Sequence, residues 1–397
     1  MVIPHNAGTI AALGTAQTLA WASTYYLPAV LAAPMARDLG VGTPTVFAAF
    51  SVALGVSALI GPWAGRAIDR HGGRPVLMGT SLLFALGLAA LGTSQGVWSL
   101  FAAWALIGLA MGSGLYEAAF SALVRLYGRG SRSAITGITL IAGFASTVGW
   151  PLSTLLEAEI GWRGACFAWA GLHLVLGLPL NAALPHVAVA PTEPASRVNM
   201  DGEPPPADRR RFTTALLAYV FATTWFISTA MAAHLPGLLQ ASGASLAVAV
   251  GVGALIGPAQ VAGRLLEFGF LRHVHPLLSA RLAALGHPVG VTALLIAGPV
   301  AAPLFAVLHG AGNGILTIAK GTLPLVLFGP QGYGMRQGWL MLPARVAQAM
   351  APFLFGVALV QWGSGALWLS AGLGTSALLA LMLMPHGRTT ENKHQPA

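Results

Sequence analysis

Glu117 is the one carboxylate set deep in a hydrophobic stretch, within Gly112-Ser113-Gly114-Leu115-Tyr116-Glu117, and Lys320 and Arg345 are permanent cations in the same situation. An ionisable group at the centre of a bilayer costs about 2.5–3.5 kcal/mol on insertion scales. Such a side chain therefore faces a water-filled cavity, a partner of opposite sign, or both. Three kinds of chemistry suit Glu117 and Lys320. Each can snorkel to the interface along its own methylene stem. The two can form an ion pair that holds or gates helices. Glu117 can instead carry a proton while Lys320 holds an anion, which would tie protonation to the solute. Arg345 suits a carboxylate by its planar fork, or it pairs with Asp69 or caps helix carbonyls.

Further candidates are weaker in type. His309, near Asn313, can transfer protons or pack as a neutral imidazole. Tyr25, Tyr26 and Tyr116, with Thr224 and Trp225, can wall a solute path, and aromatics near segment ends equally form interfacial belts.

The elements that position these residues follow from composition. Only 8% of the 397 residues are charged and 56% are hydrophobic, against about 25% charged in a soluble domain; mean hydropathy is +0.73. The runs are long rather than alternating, which excludes a β-barrel. Twelve stretches of about 20 apolar residues can be drawn, an all-α membrane protein with 12 transmembrane helices. Glu117 falls in the fourth, 98–122, Lys320 in the tenth, 302–326, and Arg345 in the eleventh, 338–360. Between the sixth and seventh lies a Pro-rich polar segment, which divides the chain into a six-helix half over 1–185, a linker over 186–211, a second half over 212–385 and a tail over 386–397.

The formal charge is +9, but its distribution argues against a nucleic-acid partner. With both termini in the cytoplasm, Arg66, Arg70, Arg74, Arg125, Arg129, Arg132, Arg209, Arg210, Arg211, Arg264, Arg272, Arg281 and Arg336 all fall on the cytoplasmic side, and Arg37 and Arg163 fall outside. That asymmetry is the positive-inside rule. The single cysteine, Cys166, permits no internal disulfide. No phosphate-binding loop or His-Glu-x-x-His motif occurs, so no cofactor, metal or enzymatic activity is expected.

The halves repeat one another. Ala58-Leu59-Ile60-Gly61-Pro62 recurs as Ala254-Leu255-Ile256-Gly257-Pro258, each followed by Gly-Arg-x-x-acid, Gly65-Arg66-Ala67-Ile68-Asp69 and Gly263-Arg264-Leu265-Leu266-Glu267. Six helices per half make the halves run in the same direction, related by a pseudo-two-fold along the membrane normal.

The run Gly65-Arg66-Ala67-Ile68-Asp69-Arg70-His71-Gly72-Gly73-Arg74 resembles the loop signature of the major facilitator superfamily, Gly-x-x-x-Asp-Arg/Lys-x-Gly-Arg/Lys-Arg/Lys. Gly65, Asp69, Arg70, Gly72 and Arg74 match, and Gly73 departs from one basic position. The resemblance implies that these five gate rather than bind, and that helices 1, 4, 7 and 10 line a central cavity. Glu117 and Lys320 then sit on cavity helices of opposite halves, Glu117 about 12 Å from the inner end at 1.5 Å per residue. The drug/proton antiporters of the superfamily carry an arginine in helix 4 where Trp104 stands, and paired glycines in helix 5 that Gly143 to Pro151 lacks. Tyr25-Tyr26-Leu27-Pro28, Gly112 to Glu117 and Gly161-Trp162-Arg163-Gly164 are more similar to bacterial relatives of the monocarboxylate and oxalate/formate branches. The resemblance implies a monomeric, proton-coupled secondary transporter of a small organic anion in a bacterial inner membrane, with lipid, solute and protons as partners. A drug/proton antiporter and a transport-inactive sensor are the alternatives.

Overall fold

In hydrocarbon every backbone N–H and C=O must be bonded within its own segment or in a protein-lined cavity, and the long apolar runs accordingly form helices. The structure, a computed structural model, describes residues 7–127, 131–185, 207–271, 274–328 and 333–384. Among these residues the first half comprises α1 (Ala7–Ser23), α2 (Pro28–Asp38), α3 (Thr43–His71), α4 (Gly73–Gly92), α5 (Val97–Gly114), α6 (Tyr116–Tyr127), α7 (Ser131–Ala142), α8 (Ala145–Leu172) and α9 (Leu178–Ala182). The second comprises α10 (Ala207–Ala241), α11 (Leu246–Ala254), α12 (Ile256–Gly269), α13 (Pro276–Ala297), α14 (Ala302–Phe328), α15 (Tyr333–Trp362) and α16 (Ala366–Leu383).

Several crossings are made of two helices. α1 and α2 form the first, α5 and α6 the fourth, and α11 and α12 the eighth. α8 turns at Gly161, whose φ of 71° suits glycine, so it ends the fifth crossing and starts the sixth. Twelve crossings result, in two six-helix halves related by a pseudo-two-fold. Of the expected linker, 186–206 lies outside the described residues, and α10 already begins at Ala207. The expected tail, 386–397, also lies outside them.

Close packing inside each half depends on small residues, as in membrane helix pairs generally. In the first half Gly108 and Gly112 of α5 lie against the backbone of Ala53 and Ser57 on α3. In the second, Gly310 and Gly314 of α14 lie against Ile256 and Gln260 on α12. A β-carbon at Gly314 would come within 2.3 Å of the Gln260 carbonyl oxygen. The repeated Gly-Pro motif falls on the partners of these helices, α3 and α12.

The halves meet along α3 against α15 and α8 against α11. At the end opposite the arginine-rich turns the interface is densely bonded. Tyr25 and Thr229 share a hydrogen bond of 2.6 Å, Trp150 donates to the Tyr26 carbonyl, and Phe47 packs on His234 with centroids 3.9 Å apart. Thr147 donates to the Ala254 carbonyl at the break between α11 and α12.

Arg163, one of the two arginines expected away from the basic side, clamps three turns together. It pairs with Asp38 at 2.8 Å, donates to the carbonyls of Gly92 and Ser94, and lies over the Trp162 ring. Trp162 also donates to Asp38. Hydrogen bonds from a charged donor contribute about 1.5–3 kcal/mol each where buried, and this clamp is half-exposed. Arg163→Met should therefore lower stability by about 2 kcal/mol, read as a fall of several degrees in the melting temperature of purified protein; an unchanged melting curve would show that the clamp contributes nothing.

Candidate functional site

The break in the fourth crossing builds the centre of the molecule. α5 ends at Gly114, Leu115 is extended (φ −82°, ψ −166°), and α6 restarts at Tyr116. Gly114 sits where a β-carbon would come within 2.1 Å of Thr80, and Gln17 of α1 donates to its carbonyl at 2.7 Å. Tyr116 and Glu117 thereby open a half-helix, whose first N–H groups and dipole favour negative charge nearby.

Beside this half-helix lies Arg264 of α12, only 7% exposed. It donates to the Thr139 carbonyl of α7 across the halves, it adjoins the Tyr116 hydroxyl, and its Nε is buried with no hydrogen-bond partner. Tyr26 adjoins Gln260 and lies within electrostatic reach of Arg264. Lys320 of α14, 8% exposed, has its ammonium 4.2 Å from the Trp225 ring centroid, and it too lies within electrostatic reach of Arg264. Trp21 stacks obliquely on Tyr116 and edge-on to Tyr25. The result is a buried, doubly cationic cluster with aromatic walls, drawing on both halves.

Sequence reasoning counts Arg264 among the cytoplasmic arginines and gives no sign of its burial, which the structure reveals. The guanidinium is drawn inward to the Thr139 carbonyl of α7, because α12 packs on α8 beside the α7–α8 break. Gly257 is part of that approach, a β-carbon there coming within 2.2 Å of the Thr147 hydroxyl. The signal that could have found it is the internal repeat. Its equivalent, Arg66, is exposed, so the repeat marks the position without deciding the burial.

Glu117 does not take the partner suggested by cavity position, Lys320. It accepts a hydrogen bond from Arg345 of α15, an ion pair across the two halves with both side chains partly exposed. Gly61 leaves room for it on α3, a β-carbon there coming within 3.3 Å of the carboxylate. Arg345 thus pairs with Glu117; the alternative partner, Asp69, has a side chain outside those described.

Thr224, His309 and Asn313 stand apart from both groups. They line a void inside the second half, together with His287. Of the expected gating residues, Gly72 adopts φ 89° in the turn between α3 and α4, and neighbouring Gly73 packs so tightly that a β-carbon would fall 2.3 Å from Ala122. Gly65 has open space around it, so close helix approach explains Gly73 and not Gly65. Arg70 is exposed, and Arg74 borders a narrow crevice with Arg125. Trp104, at the position of the antiporter arginine, is fully buried against Phe50.

Residues 13–303 match the family model described as Major Facilitator Superfamily. A gentisate transporter of Corynebacterium glutamicum is 26% identical over 380 residues, covering 88% of this chain and 80% of that protein. An uncharacterized 38 kDa protein in the 23S RNA operon of Thermoproteus tenax is 26% identical over 361 residues, covering 90% of each. Among solved structures, the nucleoside transporter NupG superposes with a TM-score of 0.76 at 13% identity, covering 95% of this chain and 98% of that one. A D-xylose–proton symporter superposes with a TM-score of 0.69 at 13% identity, covering 95% and 96%.

The cross-half ion pair gives a direct test. Exposed pairs couple by about 0.2–1 kcal/mol, and in a thermal-stability double-mutant cycle Glu117→Gln with Arg345→Gln should return a coupling in that range. The exchanged pair Glu117→Arg with Arg345→Glu should regain what either single change loses. Exchange of Glu117 with Lys320 should regain nothing; recovery there would make Lys320 the true partner.

Proposed function

Because the chain belongs to the major facilitator superfamily, we propose that this membrane transporter moves a small organic anion, an aromatic carboxylate suiting it best, with proton coupling. The observation that carries the reading is the buried pair of cations, Arg264 and Lys320, set among Tyr26, Tyr116 and Trp225. A guanidinium buried with one N–H group unanswered is costly at this depth, and an arriving carboxylate offsets that cost. The free Nε of Arg264 can donate to a carboxylate oxygen, the Lys320 ammonium can take the other, and the α6 N-terminus adds a partial positive charge. Aromatic faces suit a flat ring, and hydroxyls of Tyr26 and Tyr116 suit polar substituents. The gentisate transporter among the relatives supports this class of solute.

Transport proceeds by rocking of the halves. With the arginine-rich end in the cytoplasm, the bonded layer of Tyr25, Thr229, Trp150 and His234 seals the outer side, and Glu117–Arg345 is the inner latch. Release of that latch frees α6 and α15 to separate, and the turn from Gly65 to Arg74 shapes the same end. A carboxylate bound between Tyr116 and Arg264 lies one residue from Glu117, so solute and latch compete for the same short half-helix.

Proteoliposomes with an imposed pH gradient, offered monocarboxylates, dicarboxylates and gentisate, should accumulate a carboxylate. Loss of a buried charged contact costs about 2–5 kcal/mol, so Arg264→Gln should raise the half-saturating concentration by about 30-fold or more. Absence of uptake of every anion, with electrogenic export of lipophilic cations, would overturn the reading in favour of drug export.

A further inference from the structure

Inside the second half, away from the cationic cluster, His287 of α13 and His309 of α14 face each other Nδ1 to Nδ1 at 2.9 Å. Both are buried, at 7% and 5% exposure. Phe305 stacks on His309 with centroids 5.5 Å apart and planes 4° from parallel, and meets His287 edge-on. Packing therefore fixes both rings. Beside them is a void of about 30 Å³, reached by Thr224 of α10, Asn313 of α14, and Gly374 and Ala377 of α16. That is room for a water molecule or two among polar partners.

Two imidazoles joined through their Nδ1 atoms have a fixed proton inventory. In the neutral pair one ring donates Nδ1–H and must carry a bare lone pair on its own Nε2; the other accepts at Nδ1 and carries its hydrogen on Nε2. The Nε2 of His287 is buried against the backbone of Ser370 on α16. A proton added to the bare Nε2 of whichever ring donates creates an imidazolium that still donates Nδ1–H to its neighbour, now as a charge-assisted bond. A second proton would place hydrogens on both facing nitrogens and break the bond. The arrangement holds one extra proton and resists two.

The surroundings say what such a charge would answer to. α10 presents Thr224 and Ile227 to the void, and α16 presents Gly374 and Ala377. Among the described lining residues the two histidines are the only titratable groups, and no carboxylate is present to neutralise an imidazolium. His309, Asn313 and Leu316 lie on one face of α14, and Lys320 follows eleven residues after His309, about three turns and 16 Å along the same face. Trp225, which carries Lys320, is the next residue after Thr224. The dyad and the anion cluster thus share two helices.

We propose that the His287–His309 dyad is a one-proton site, and that it takes up the proton that accompanies an anion bound at Arg264 and Lys320. An imidazolium in this apolar setting is costly on its own, and the carboxylate's negative charge lowers that cost; by reciprocity the proton strengthens anion binding by the same factor. The coupled proton then resides in the second half, and Glu117 serves the latch. The coupling, though not the proton site itself, rests on the anion-transport reading above.

Two readouts test it. In protein carrying ¹⁵N-histidine in lipid nanodiscs, a doubly protonated imidazole should form at the dyad as the pH is lowered, and it should be missing in His287→Asn, whose amide keeps a polar group near the Nδ1 position. Adding gentisate should move its formation to higher pH. In proteoliposomes, His287→Asn and His309→Asn should lose at least tenfold in pH-driven accumulation and keep solute exchange at zero gradient within about threefold. Accumulation unchanged in both variants would overturn the proposal, as would loss of exchange together with accumulation, which marks a structural role. No doubly protonated imidazole at the dyad would also overturn it. If the parent protein moves no anion, the transport reading falls, and the nitrogen spectrum alone still decides the proton site.

Discussion

A permanent charge inside hydrocarbon has to be met by another side chain, a backbone dipole or water, and the interior of this protein is arranged around that demand. Glu117 meets Arg345 from the other half. Arg264 meets a carbonyl of α7 and a tyrosine hydroxyl, leaving one N–H group unanswered. Lys320 lies over an indole face, an attraction of about 0.5–2 kcal/mol that does not neutralise it. The charges are therefore satisfied unequally. Glu117 and Arg345 pair at the junction of the halves, whereas Arg264 keeps one buried N–H group without a hydrogen-bond partner.

Glycine is what permits this placement. Gly310 and Gly314 let α14 touch the backbone of α12, so Lys320 and Arg264 share a neighbourhood although 56 residues of chain separate them. Gly108 and Gly112 do the same for α5 on α3, and the break after Gly114 then turns Tyr116 and Glu117 out of a regular helix. A larger residue at any of these positions would push helices apart and move the charges with them.

The two halves nevertheless spend their polar residues differently. The first supplies aromatic hydroxyls and the carboxylate, the second supplies the cations and the buried histidine pair. Motion of one half relative to the other then changes how many of these groups face each other, which is the physical content of coupling in such a molecule. On the proposed reading, the one-residue separation between Tyr116, beside Arg264, and Glu117, paired with Arg345, would tie solute contact to half-to-half contact without a longer pathway.

Much of this was legible in the sequence. Low charge, long apolar runs and the arginine asymmetry determined a polytopic helical membrane protein, because the bilayer imposes length and polarity limits on each segment independently. The loop from Gly65 to Arg74 and the repeat pointed to the superfamily, and Glu117, Lys320 and Arg345 were visible because a charge in an apolar run is conspicuous by itself. Which charge met which was not legible. Arg264 looked like an interfacial arginine, since depth depends on where α7 and α6 lie against α12. His309 and Asn313 looked like cavity residues, since a helix number does not say which face of α14 looks toward the other half. His287 stood only as one histidine within an apolar run until α13 and α14 bring its Nδ1 to 2.9 Å from another. The sequence by itself determined the solvent of each segment; only the tertiary structure decided the partners, because partners are set by helix rotation and break geometry, which arise from contacts between segments far apart in the chain.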